Sequence, residues 1–126
     1  MSSLILIVED NARNLKLVRD LLAHAGYETL EATTGEDGLA LARAHRPDLV
    51  LMDVQLPGMD GTDVLGHLRS DPATAGLCVV AVTAFAMKDD RARFLAAGFD
   101  GYLEKPINVR EFQGQVAALI GEAARA

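Results

Sequence analysis

Three runs in this chain, Leu4-Ile5-Leu6-Ile7-Val8, Leu49-Val50-Leu51-Met52 and Leu77-Cys78-Val79-Val80-Ala81-Val82, are apolar at every position and rich in branched residues. A strand with one face in water alternates apolar and polar residues. A short strand that never alternates has both faces covered, as the central strands of a parallel sheet do when helices lie on each side. Two further segments read as strands nearer the edges of the same sheet: Tyr27-Glu28-Thr29-Leu30-Glu31, which alternates, and Gly101-Tyr102-Leu103-Glu104, which is short and mixed.

Helical repeats separate these runs. Leu15, Val18, Leu22 and Ala25 recur on one helical face that closes at Gly26, and Val109, Phe112, Val116 and Leu119 recur on another. Thr34 with Asp37, and Asp60 with Asp63, place capping side chains at the starts of two more helices, the first of which stops at Pro47. The stretch from about Met87 to Ala97 is the weakest helix, because Lys88-Asp89-Asp90-Arg91-Ala92-Arg93 carries charge on most sides and offers few core anchors. A weakly anchored helix is the one expected to move. The alternation of strand and helix implies right-handed crossovers and an α/β fold, doubly wound, with five parallel strands.

At 126 residues, without a linker or internal repeat, the chain reads as a single domain over residues 1–126. A net charge of −6 argues against nucleic acid or an anionic membrane as the main partner, since either calls for a clustered basic face. The apolar runs fall far short of the roughly 20 residues that cross a bilayer, and Met1-Ser2-Ser3 lacks a basic leader, so the expected location is cytoplasmic. The one cysteine, Cys78, reads as a small core hydrophobe, and His24, His45 and His67 as solvated helix positions.

In sheets of this kind the functional groups gather beyond the carboxyl ends of the strands. Those positions hold Glu9 and Asp10, then Asp53, then Thr83, then Lys105 and Pro106. Carboxylates about 4 Å apart repel by roughly 4 kcal/mol per pair at an effective dielectric near 20, so three of them converge only around a cation. Mg²⁺ suits such a set, being a hard ion that accepts oxygen ligands and keeps room for waters and phosphate oxygens. Asp53 follows a fully apolar strand and precedes the turn-rich loop Val54-Gln55-Leu56-Pro57-Gly58-Met59-Asp60-Gly61, which leaves its carboxylate accessible as a nucleophile toward phosphorus. Glu9 and Asp10 suit metal holding, and Lys105 supplies a point charge opposite the metal.

These residues resemble the response-regulator receiver family of two-component signalling. The carrying pieces are Ile7-Val8-Glu9-Asp10-Asn11, Leu51-Met52-Asp53 with the loop to Gly61, Val82-Thr83-Ala84 and Lys105-Pro106. The resemblance implies a flavodoxin-like and CheY-like sheet of order 2-1-3-4-5. It further implies phosphoryl transfer to Asp53 from a histidine kinase or histidine phosphotransferase, and Mg²⁺ held by Glu9, Asp10, Asp53 and the Gln55 backbone carbonyl. Thr83 and Lys105 would then meet the phosphoryl group, Tyr102 would swing inward, and the Lys105-Pro106 bond would be cis. The switch surface would comprise the helix from about Met87, the strand with Tyr102 and the final helix, with Phe85, Lys88, Tyr102, Pro106 and Arg110 as contacts.

Glu9-Asp10-Asn11 with Asn14, and Thr83-Ala84-Phe85-Ala86-Met87-Lys88, resemble the single-domain DivK-like members most. Output would be a contact with a downstream target protein, from a monomer or from a dimer formed on activation. The chain would not be an enzyme toward outside substrates. Alternatives are a receiver fragment of a larger regulator or kinase, and an aspartyl-phosphate phosphatase, whose second acidic residue is here Gln55. A nucleotide or flavin module is disfavoured because Glu9 and Asp10 stand where its phosphates would sit.

Overall fold

The computed structural model describes residues 3–84 and 90–125. In chain order the elements are β1 (Leu4–Val8), α1 (Ala12–His24), β2 (Glu28–Ala32), α2 (Gly35–His45), β3 (Leu49–Asp53), α3 (Gly61–Ser70), β4 (Val79–Thr83), α4 (Asp90–Ala97), β5 (Gly101–Glu104) and α5 (Val109–Arg125). All strands pair in parallel in the order β2-β1-β3-β4-β5. The uninterrupted apolar runs thus supply the three inner strands, which are buried throughout except for Leu4 at the start of β1.

Side chains of successive strand residues point to opposite faces, and this alternation divides the core in two. Leu6, Val8, Val50, Met52, Val79 and Ala81 pack toward Leu39 and Ala42 of α2, Leu65 and Leu68 of α3, and Phe94 of α4. Ile5, Ile7, Leu49, Leu51, Val80 and Val82 pack toward Leu15, Val18 and Leu22 of α1 and Phe112 and Val116 of α5. β3 and β4 run one residue further than their apolar sequence, ending at Asp53 and Thr83. The pleat therefore aims Asp53 to the α1 and α5 side with Leu51, and Thr83 to the α3 and α4 side with Ala81.

Helix ends follow local chemistry. Asn11 caps α1 by accepting from the Arg13 and Asn14 amides at 3.0 and 3.1 Å, and Thr34 accepts from the Asp37 amide at 3.1 Å. Asp60 and Asp63 form a reciprocal capping box at α3. α2 ends on Arg46 in the left-handed region (φ 43°), just before Pro47.

Two expectations are corrected. Ala25 is the exposed C-cap residue of α1, and Val109 is exposed at the first turn of α5, so neither belongs to its helix's buried face. Cys78 precedes β4 and is only partly buried against the α1 and α5 core. As expected, α4 has few core anchors: Phe94, 5 % exposed, is the one buried apolar side chain among those described on it. One aromatic side chain does here what a periodic aliphatic stripe does elsewhere.

Arg69, near the end of α3, reaches across to the entries of two strands. Its guanidinium donates to the Ala75, Leu77 and Gly98 carbonyls at 2.6 to 3.2 Å and to Asp100 Oδ2 at 2.7 Å. Asp100 Oδ2 also accepts from the Val79 amide at 2.9 Å. The carboxyl end of α4 is thereby tied to α3 and to the start of β4.

Gly61 sets how closely α3 approaches the end of β3. Its amide donates to the Val54 carbonyl at 3.0 Å, and a Cβ there would collide with the Asp53 carbonyl oxygen and stand 2.9 Å from Val54 Cα. Gly61→Ala is expected to destabilise the protein by about 1–3 kcal/mol through this overpacking, as measured by urea unfolding. Unchanged stability would mean that the junction has slack.

Candidate functional site

The pairing order places the ends of β1, β3, β4 and β5 along one edge of the sheet. Glu9 follows β1 and is held by its amide donating to the Ala32 carbonyl at 2.9 Å. Asp53 ends β3, and its Oδ1 accepts from the Gln55 amide at 3.0 Å, turning the loop back over the strand end. Lys105 follows β5, and its amide donates to the Thr83 carbonyl at 2.9 Å, joining β5 to β4 at this edge.

Lys105 Nζ lies 2.7 Å from Glu9 Oε1 and 2.9 Å from Asp53 Oδ2. One ammonium thus bridges carboxylates from two other strands. Glu9 and Asp53 are 5 % and 4 % exposed, so their charges are poorly solvated, and Asp10 beside them is exposed. The floor beneath is apolar, lined by Ile7, Val18, Leu51, Val82, Ile107 and Phe112.

That floor has an electrostatic consequence. Burial and then the neighbouring Asp53 raise the Glu9 carboxyl to about 7, with Lys105 opposing. Burial alone would lower the Lys105 pKa, but its bonds to Glu9 and Asp53 outweigh that and raise it. One lysine leaves the cluster short of positive charge.

A hard divalent cation fits this deficit. Oxygens of Glu9, Asp10 and Asp53 lie within 4.8 Å of one another. Glu9 Oε2 is buried without a hydrogen-bond partner, a costly state for a carboxylate oxygen that a cation would relieve. An all-oxygen set with one exposed member suits Mg²⁺, which retains waters.

The structure brings together Glu9, Asp10, Asp53 and Lys105, with Thr83 adjoining through the backbone. Residue 55 is beside Asp53, and the Lys105-Pro106 bond is cis. Phe85, Met87 and Lys88 lie outside the described residues. Tyr102 is half-buried on β5, opposite Ala81 in the register, and stands apart from the carboxylates on the α4 side. Its ring stacks on Phe94, with centroids 5.8 Å apart and planes 21° apart, and Phe94 meets Phe99 edge-on at 5.8 Å. The sequence pattern did not single out Phe94 or Phe99. The aromatic spacing Phe94, Phe99, Tyr102 was its only trace.

The fold and this strand-end cluster define a receiver, and similarity to known proteins places the chain accordingly: it belongs to the response regulator receiver domain family, whose profile matches residues 5–117. Among its relatives is the polar-differentiation response regulator DivK of Brucella anthropi, 46 % identical over 98 % of this chain and 100 % of the relative. A CheY-like receiver domain protein from Methanospirillum hungatei superposes with a TM-score of 0.88 at 30 % identity, covering 99 % of this chain and 98 % of that one. The receiver domain of a Pseudomonas aeruginosa sensor histidine kinase, with magnesium coordinated in its active-site cleft, superposes with a TM-score of 0.86 at 32 % identity, covering 96 % of this chain and 99 % of that one. Among the described residues no helix is long and apolar enough to cross a membrane.

The raised Glu9 pKa carries a pH prediction. Folded Glu9 holds its proton more tightly than in the unfolded chain, where the ordinary value is 4.5 against about 7 here. Its contribution to stability is therefore full below 4.5 and is lost as pH rises through about 7. With divalent metal chelated, stability should fall across that window by up to about 1.4 kcal/mol per pH unit from this group. Glu9→Gln should remove this component from urea unfolding curves, and an unaltered slope would show that Glu9 is not the titrating group.

Proposed function

We propose that this receiver accepts a phosphoryl group on Asp53 and signals through its own surface, with residues 1–126 acting as one domain. The observation that carries the reading is the bridge of Lys105 Nζ to both Glu9 and Asp53 inside a buried carboxylate cluster. Such an arrangement is costly as a structural device and well suited to a phosphoryl group, whose charge needs cations on more than one side.

In the proposed reaction a carboxylate oxygen of Asp53 attacks the phosphorus of a phosphohistidine on a histidine kinase or phosphotransferase. The new oxygen–phosphorus bond forms as the phosphorus–nitrogen bond breaks, and the imidazole leaves. Mg²⁺ bound by Glu9, Asp10, Asp53 and the Gln55 carbonyl would neutralise charge on the transferring group. Lys105, already 2.9 Å from Asp53, pairs with an oxygen of the bound phosphoryl group, and the Thr83 hydroxyl hydrogen-bonds another. Because the Lys105 amide is bonded to the Thr83 carbonyl, both responding groups move on one joined pair of strand ends.

Phosphorylation adds close to two negative charges here and biases a pre-existing equilibrium. The change passes from Thr83 to Tyr102, which share the α4 side of the sheet, and alters the surface made by α4, β5 and α5, with Phe85, Tyr102 and Pro106 as contacts for a downstream protein. A regulatory role for this receiver is supported by the match to the whole length of the Brucella anthropi response regulator, itself named for polar differentiation.

Wild-type protein should incorporate label from a small acyl phosphate when Mg²⁺ is present, and Asp53→Asn should incorporate none. Label in Asp53→Asn equal to wild type would end the assignment. Mg²⁺ at a hundred times its dissociation constant should add about 2.7 kcal/mol to wild-type stability. Asp10→Asn should shift that response to higher Mg²⁺, whereas an identical response would remove Asp10 from the metal set.

A further inference from the structure

On the side of the sheet away from the carboxylates, Tyr102 is held by more than its own strand. Phe94 lies 5.8 Å from it in a stacked arrangement. Phe99 braces Phe94 edge-on, and the Arg93 guanidinium sits 5.1 Å from the centre of the Phe94 ring. Arg93 is itself fixed by Asp90 at 2.9 Å. Asp90 is close enough that its carboxylate, after burial and Glu104, helps raise the Tyr102 pKa. The Phe94 ring thus has two further neighbours, Phe99 and Arg93, besides Tyr102.

Tyr102 and Thr83 lie on the same face of the sheet. Tyr102 stands opposite Ala81, whose small side chain precedes Thr83 on the same face. In the orientation seen here the Tyr102 ring is stacked on Phe94, so a change of its orientation alters that contact. The carboxyl end of α4 cannot follow, because Arg69 ties the Gly98 carbonyl and Asp100 to α3.

We propose that Phe94 is a positioning residue of the switch: its ring holds Tyr102 in the orientation seen here and so sets how much of the unphosphorylated protein occupies the switched arrangement. This rests on the reading of Tyr102 as the responding aromatic. An aromatic pair contributes enough beyond burial that losing it should raise the switched population about fivefold.

The chain has two tyrosines, so 3-fluorotyrosine labelling yields two ¹⁹F resonances, assigned with Tyr27→Phe. Wild-type protein with Mg²⁺ and beryllofluoride marks the switched position of the Tyr102 signal. In Phe94→Leu, without beryllofluoride, that signal should move toward the switched position, while in Phe94→Tyr, which adds a third resonance, it should stay in place. The Tyr27 signal reports folding, and Phe94→Met substitutes if the leucine variant does not fold. A folded variant with Tyr102 unmoved, in a protein whose wild-type signal does respond to beryllofluoride, overturns the inference alone. A wild-type Tyr102 signal unmoved by beryllofluoride overturns the switch reading and this inference with it.

Discussion

The contact on which the proposed function turns is that of one ammonium with two buried carboxylates. Lys105 Nζ is within hydrogen-bond distance of Glu9 and Asp53, and the three groups arrive from the ends of three different strands. Without the lysine, the two acids would face each other over an apolar floor, and at least one would take up a proton. With it they remain close yet under-compensated, as the elevated Glu9 and the unpartnered Glu9 Oε2 indicate. Residual hunger for positive charge is what prepares a site for a metal and a phosphoryl group together.

The sheet does more than gather these residues. Its period of two sorts them, sending Asp53 toward α1 and α5 while Thr83 and Tyr102 face α3 and α4. In the proposed switch, chemistry and response thereby occupy opposite faces of one layer, connected at the edge by the bond from the Lys105 amide to the Thr83 carbonyl. A charge added on one side can be felt on the other without disturbing the inner strands, which are the most buried part of the molecule.

Much of this was legible in the chain because it depends on local rules. Leu4 to Val8 and Leu49 to Met52 can hardly be anything but strands covered on both faces, and once strands are assigned, Glu9, Asp10, Asp53, Thr83 and Lys105 fall at their ends. Capping by Thr34 and Asp60 was equally readable. What escaped depended on how elements meet. Phe94, Phe99 and Tyr102 come from a helix, its exit turn and a strand, and only the packing of α4 brings their rings together. Arg69 looks like any arginine near a helix end, and most of its acceptors are backbone carbonyls, which leave no mark in a sequence. Val109 shows the converse error, since a helical period alone does not say where the neighbouring layer stops.

The most direct test is chemical. An acyl phosphate, unlike a phosphoester, is reduced by borohydride to an alcohol, marking the carboxylate that carried it. Protein phosphorylated in the presence of Mg²⁺, reduced and mapped by peptide mass spectrometry, should carry the reduced side chain at Asp53 alone. Modification at another acidic residue with Asp53 intact would contradict the proposed site.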